Sequence, residues 1–142
     1  MKIEVNGSVR KLKIDLEPGV YVFDNESGIG KTFLGKTLQS MSNIGMFKAA
    51  YLTYDATKCE DIIKAKLGTD KFDIIFFDRL DLYINDEIRK LIKSLSETAV
   101  VLLDVKSLRA YSTLDYKFAY IKLEKNLLEV SNVLCIWGLS AC

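Results

Sequence analysis

The chain has 142 residues, of which 49% are hydrophobic and 27% are charged, and its formal net charge at pH 7 is +1. This length and balance predict one domain over residues 1–142 with a substantial core and exclude a largely disordered chain. The near-neutral charge gives no support for nucleic-acid binding or for attraction to an anionic membrane. Because the sequence contains no histidine, general-base catalysis and metal binding must use other side chains.

The cysteines and the amino terminus predict the cellular location. Cys59, Cys135 and Cys142 have neither zinc nor redox spacing, and an odd number of scattered cysteines fits a reducing compartment. The amino-terminal sequence lacks the apolar run of a signal peptide, and every apolar run is too short to span a bilayer. We therefore expect a cytoplasmic protein with no membrane span.

The first residues predict a β-hairpin followed by a buried strand. Polar and apolar residues alternate over residues 2–5 and again over residues 8–16. Asn6-Gly7 between the two runs is a strong signal for a hairpin turn. Pro18-Gly19 then predicts a turn into a strand at Val20–Asp24.

Strands and helices alternate through the rest of the chain. The predicted helices begin after Lys31, with the capping-box sequence Thr57–Glu60, at Asn85 or Asp86, and at Leu108. The predicted strands are Ala49–Tyr54, Phe72–Phe77 and Ala99–Leu103, followed by a closing hairpin of Tyr116–Leu123 and Leu127–Val133. This alternation predicts an α/β fold in which the core strands are mostly parallel, with antiparallel hairpins at the two chain ends.

The most informative segment joins the strand at Val20–Asp24 to the first helix. It consists of a glycine-containing loop that ends in Lys-Thr at the helix start, which is the arrangement of a phosphate-binding P-loop. Backbone N–H groups of such a loop surround phosphates, and the helix N-terminus adds its positive dipole end. The residues that we predict to bind a nucleoside triphosphate are Asn25, Glu26, Ser27, Gly28, Ile29, Gly30, Lys31, Thr32 and Phe33.

Individual residues of this loop have distinct expected roles. Lys31 would contact the outer phosphates as a catalytic group, and the Thr32 hydroxyl would bind Mg²⁺. Asn25 replaces the glycine that usually begins the pattern, a mild change because asparagine tolerates a left-handed backbone. Glu26 is unusual here, since a carboxylate repels phosphate unless it points away.

A second ligand for the metal is predicted at Asp78. Residues 72–78 form a hydrophobic run that ends in an acid, as in a Walker B strand. An aspartate at the carboxyl end of a central strand lies where open α/β sheets bind ligands. We therefore predict that Thr32 and Asp78 hold Mg²⁺. ATP is the expected nucleotide, because the Asn-Lys-x-Asp sequence of GTPases is missing.

The two motifs together resemble the P-loop NTPase superfamily, and within it the ATP-binding-cassette-like ATPases and their relatives in recombination. In that group an amino-terminal hairpin leads through a Leu-x-Pro-Gly-like turn into the P-loop strand, as Leu16–Gly19 does here. The resemblance covers the chain in layout but only residues 16–34 and 72–81 in motif. It implies a three-layer P-loop sheet, with phosphate and metal contacts from Gly28, Gly30, Lys31, Thr32 and Asp78.

Several features of that group are missing from this chain. Arg79 stands where the catalytic glutamate would follow Asp78, and neither the Leu-Ser-Gly-Gly-Gln signature nor a switch histidine is present. Asp81 and Asp104 are the carboxylates that could orient water or sense the γ-phosphate, so we include both as catalytic candidates. Arg79, Arg89 and Arg109 are candidates for an arginine finger.

Three functions are consistent with these residues. The first is a small ATP-binding protein, with slow Mg²⁺-dependent hydrolysis, that acts as a conformational or partner switch in a homodimer or with another protein. The second is a nucleotide or nucleoside kinase, because Asp78-Arg79 is similar to the Asp-Arg motif of thymidylate-type kinases. The third is a degenerate P-loop interaction module that binds nucleotide without turnover.

Overall fold

The computed structural model describes residues 2–6, 11–23, 31–53, 71–80, 84, 86–105, 116–124 and 127–132. In this part of the chain, eight strands form one sheet, and two helices pack against it. The strands are β1 (Lys2–Asn6), β2 (Lys11–Asp15), β3 (Gly19–Phe23), β4 (Ala49–Leu52), β5 (Ile74–Phe77), β6 (Val100–Leu103), β7 (Lys117–Glu124) and β8 (Leu127–Asn132). The helices are α1 (Lys31–Asn43) and α2 (Asp86–Leu95). The predicted helices at residues 57–68 and 108–114 lie outside the described residues, as do all three cysteines.

The order of strands across the sheet is β1-β2-β8-β7-β3-β6-β5-β4. All pairings from β7 through β3, β6 and β5 to β4 are parallel. The predictions of an α/β fold with mostly parallel core strands and of antiparallel hairpins at both chain ends are confirmed. The two hairpins also lie side by side, because β2 pairs in parallel with β8, and the sequence did not predict this contact.

The central strands carry apolar side chains on both faces of the sheet, and both faces are covered by other parts of the protein. Every residue of β5 and β6 is buried with no exposed surface. Along β5, alternate side chains enter two different hydrophobic clusters. Leu34 and Leu38 of α1 belong to one cluster, and Ile88 and Ile92 of α2 belong to the other. The two helices therefore lie on opposite faces of the sheet.

Helix α1 ends in a Schellman motif that returns the chain to the sheet. The Gly45 N–H donates to the Ser42 carbonyl at 3.0 Å, and the Met46 N–H donates to the Met41 carbonyl at 3.2 Å. Gly45 has a φ of 81°, a left-handed conformation that glycine adopts without strain. Within the described residues, no helix is long and apolar enough to cross a membrane.

Candidate functional site

The carboxyl ends of β5 and β6 place two aspartates side by side. Phe77 of β5 pairs with Leu103 of β6, so the residues that follow them, Asp78 and Asp104, lie at the same level on neighbouring strands. The residues two positions earlier on each strand belong to the cluster under α1, and strand alternation directs both carboxyl groups to that face. The sheet therefore presents paired carboxylates beneath the start of α1.

Lys31 lies on the buried side of α1 because of helical periodicity. It precedes Leu34 by three residues and Leu38 by seven, and all three side chains are buried. Its Nζ donates to Asp104 Oδ1 at 3.0 Å. Among the described residues, Lys31 and Asp104 are the only buried charged side chains, with 8% and 7% of their surface exposed. Each one compensates the charge that burial would otherwise make costly in the other.

Tyr51 links the other two predicted site residues. It is the third residue of β4, whose neighbour is β5. Its hydroxyl donates to Asp78 Oδ2 at 2.6 Å. Burial raises the pKa of this hydroxyl, and the nearby Thr32 side chain opposes that rise. Thr32, unlike Lys31 beside it, is exposed. A polar network thus extends from Thr32 past Tyr51 and Asp78 to Asp104 and Lys31, with hydrogen bonds from Tyr51 to Asp78 and from Lys31 to Asp104.

Burial and the adjacent acid raise the pKa of the Asp78 carboxyl. Burial has the largest effect, the hydrogen bond from Tyr51 opposes it, and the hydrogen bond and negative charge of Asp104 raise the pKa further. The raised pKa favours the protonated form of Asp78 in the metal-free protein. Burial and Asp78 also raise the pKa of Tyr51, which keeps its phenol a hydrogen-bond donor at neutral pH.

Backbone hydrogen bonds hold the turn that contains Asp78. The Asp78 N–H donates to the Leu52 carbonyl at 2.8 Å, and the Leu80 N–H donates to the Asp104 carbonyl at 2.9 Å. Between them, Arg79 has a φ of 50°, a left-handed conformation that costs a non-glycine residue about 1–2 kcal/mol. This conformation ties the turn to strands on both sides, with Leu80 buried in the α2 cluster. The strained residue is therefore at the site itself, where strain is often retained for function.

A glycine in α1 makes room for the Tyr51 ring. A Cβ atom at Gly35 would overlap that ring, so the helix and β4 approach more closely here than an alanine would permit. The ring also packs against Phe76, with 5.4 Å between ring centroids. Gly35 and Phe76 together fix the direction in which the Tyr51 hydroxyl points.

The oxygen atoms of Thr32 and Asp78 suit a magnesium ion. Mg²⁺ prefers oxygen ligands and usually combines one or two carboxylates with water and substrate phosphates. In the described part of the chain, no group of three Asp, Glu, Cys or His residues is placed to hold a metal. Among the described residues, Thr32 and Asp78 therefore offer two oxygen-bearing side chains and not a complete set of metal ligands.

The remaining predicted site residues either lie away from Lys31, Asp78 and Asp104 or lie outside the described residues. Phe33 is on the exposed side of α1, with 37% of its surface accessible. Arg89 forms an ion pair at 2.6 Å with Asp86 at the start of α2, on the other face of the sheet. Asn25, Glu26, Ser27, Gly28, Ile29, Gly30, Asp81 and Arg109 lie outside the described residues.

Tyr51 is the site residue that the motifs did not indicate. It belongs to neither the P-loop nor the Walker B sequence, and a tyrosine in a strand is ordinarily a packing residue. One signal was present in the sequence. Gly35 interrupts an otherwise regular helix, and an interior glycine often marks a close approach by another group. It could not identify which residue makes that approach.

No protein-family model and no curated protein matches the chain. Among solved structures, it is similar to a chain in the crystal structure of the complex of archaeal ribosomal stalk protein aP1 and archaeal ribosome recycling factor aABCE1, with 12% identity and a TM-score of 0.46. It is also similar to a chain in a model of ribosome-bound archaeal Pelota and ABCE1, with 11% identity and a TM-score of 0.43. Each match covers 92% of this chain, but only 38% and 33%, respectively, of the other chain.

Proposed function

We propose that this chain is a Mg²⁺-dependent ATP-binding protein of the P-loop NTPase type, with its helices and sheet arranged as a three-layer P-loop fold. The observation that carries the proposal is the buried Lys31 ammonium, 3.0 Å from Asp104 and part of the same polar network as Thr32 and Asp78. This network lies at the carboxyl ends of the central parallel strands, where open α/β sheets bind ligands.

Each of these side chains has a role that its chemistry permits. The Lys31 ammonium has three N–H donors, so it can contact a phosphate oxygen while one donor remains on Asp104. Thr32 and Asp78 would hold magnesium, which when bound offsets the negative charge of the triphosphate. The backbone of residues 25–30 would supply the N–H groups around the phosphates.

We infer that hydrolysis is slow or lost, so that the protein acts as a switch or as a nucleotide-binding interaction module. Arg79, a cation, occupies the place of the expected general-base glutamate. Asp104, the neighbouring carboxylate, accepts a hydrogen bond from Lys31 at 3.0 Å, so one of its oxygens is already occupied by a protein donor. These two observations favour binding over rapid turnover. A nucleotide kinase remains an alternative that phosphate-transfer assays would test.

The decisive experiment is titration calorimetry with ATP and Mg²⁺ on the wild type, Lys31→Gln and Lys36→Gln. Glutamine at position 31 can still donate to Asp104 but carries no charge. Lys36 is on the same helix and exposed, so it controls for loss of a nearby lysine. We expect Lys31→Gln to weaken binding by tenfold to a hundredfold, since hydrogen bonds to charged groups contribute about 1.5–3 kcal/mol. Lys36→Gln should bind as the wild type does.

Equal affinity for ATP in all three proteins would contradict the proposal that Lys31 contacts the phosphates. Phosphate release measured on the same samples separates a slow ATPase from a module without turnover. Transfer of the γ-phosphate to a nucleoside monophosphate would instead identify the protein as a nucleotide kinase.

A further inference from the structure

A cavity lies at the amino ends of β3 and β7, at the opposite edge of the sheet from Lys31 and the two aspartates. Its volume is about 320 Å³, at the small end of the range for small-molecule sites. It is lined by the turn into β3, by the start of β7 and by Ser96, which follows α2. Open α/β sheets bind their substrates at the carboxyl ends of the strands, so this cavity is separate from the proposed nucleotide site.

Contacts within the protein hold two walls of the cavity in place. The Tyr21 hydroxyl donates to the Glu17 carbonyl at 2.8 Å, which fixes the turn into β3. The Tyr116 ring packs edge-on against the Phe118 ring, with 5.6 Å between their centroids, and also against the α2 cluster. The shape of the cavity therefore does not depend on a ligand.

Two side chains at the cavity offer hydrogen-bond donors that no described residue uses. Within the described part of the chain, the Tyr116 hydroxyl has no hydrogen-bond partner and the Lys117 ammonium has no ion-pair partner. An ammonium has three N–H donors and a phenol has one O–H donor. The Ser96 hydroxyl, by contrast, already donates to the Lys93 carbonyl at 2.8 Å. A group with negatively charged oxygens complements the first two side chains.

The charges around the cavity favour a ligand with a single negative charge. Of the described residues that line it, Lys117 alone carries a positive charge. Burial raises the pKa of the Tyr21 hydroxyl, and the negative charge of Glu17 raises it further, which places that carboxylate near the same wall. A phosphate monoester carries a charge of about −1.5 to −2 at pH 7 and would be repelled by Glu17. A carboxylate carries only one negative charge.

We propose that this cavity is a second binding site, which takes a small monocarboxylate with an apolar body. The carboxylate accepts hydrogen bonds from Lys117 and Tyr116. The apolar body lies against Pro18, whose ring is exposed, and Val20, which is buried. The inference goes beyond nucleotide binding and does not rest on it.

The test is an NMR titration of the backbone amides of the full chain with phenylacetate, and with phenylacetamide as the uncharged ligand of the same shape. We expect phenylacetate to shift the amides of Gly19, Val20, Ser96 and Lys117 and to leave those of α1 unchanged. Phenylacetamide should bind about fivefold more weakly, because an ion pair that solvent can reach contributes little more than that.

Two matched pairs of variants then test the assigned donors. Lys117→Gln and Tyr116→Phe should each weaken phenylacetate binding about fivefold, the size expected for one hydrogen bond. Lys11→Gln and Tyr120→Phe remove the same groups at other exposed positions and should bind as the wild type does.

Three results would overturn the inference: no shift of the cavity amides, equal affinity for the two compounds, or equal losses in the cavity variants and their controls. A wild type that binds ATP but not phenylacetate would refute this site and leave the proposed function standing. The converse result would do the opposite.

Discussion

The surroundings of Asp78 in the metal-free protein disfavour the ionised form of its carboxyl group. Burial and Asp104 raise its pKa, so the folded protein favours the protonated form. The associated stability is complete below the ordinary pKa of the carboxyl group and is lost as the pH rises through the raised value. We expect Asp78→Asn to raise the melting temperature of the metal-free protein by roughly 2–4 °C at pH 7, and to have a smaller effect at pH 4.

Asp104 provides the matched control, because substituting it with asparagine should lower the stability of the protein, whereas Asp78→Asn should raise it. Asp104 balances the buried charge of Lys31 at 3.0 Å, and Asp104→Asn removes that balance. Removing one partner of a buried ion pair costs about 3–5 kcal/mol, which urea unfolding of the two variants in EDTA would measure. If both variants change stability in the same direction, the two aspartates do not have the distinct roles assigned to them.

Substituting Gly35 within α1 and Gly45 just after it should destabilise the protein for two different reasons, one steric and one conformational. Gly35→Ala should destabilise the protein although alanine is the better helix former, because its Cβ would overlap the Tyr51 ring. Gly45→Ala meets no atom within 4 Å, and its cost, about 1 kcal/mol, should come from the positive φ alone. Urea unfolding measures both losses of stability.

Individual elements were predictable where the signal was local. The continuous apolar runs of β5 and β6 predicted buried parallel strands, because that signal comes from residues adjacent in sequence. The positions of Asp78 and Asp104 followed from the strands that precede them. The contact of Tyr51 with Asp78 depends on how closely a helix and two strands approach each other, and periodicity does not encode that distance.

The arrangement of the two hairpins was likewise not predictable, for a reason at the scale of the whole molecule. The β1–β2 and β7–β8 hairpins pair strands adjacent in sequence and were predicted, but the pairing of β2 with β8 joins opposite ends of the chain. The amino-terminal hairpin reaches the parallel strands only through β8 and β7. Its stability therefore depends on residues at the other end of the sequence.

This dependence predicts an uneven response to core mutations at the two sides of the sheet. Leu128 of β8 and Leu52 of β4 are both buried, with 0% and 1% of their surface exposed, and leucine-to-alanine changes in a core cost about 2–5 kcal/mol. Amide hydrogen exchange should show Leu128→Ala loosening β1, β2 and β8 more than β4 and β5. Leu52→Ala should give the reverse distribution. Since regions that open separately exchange separately, an equal increase along all strands in both variants would mean that the sheet opens as one cooperative unit.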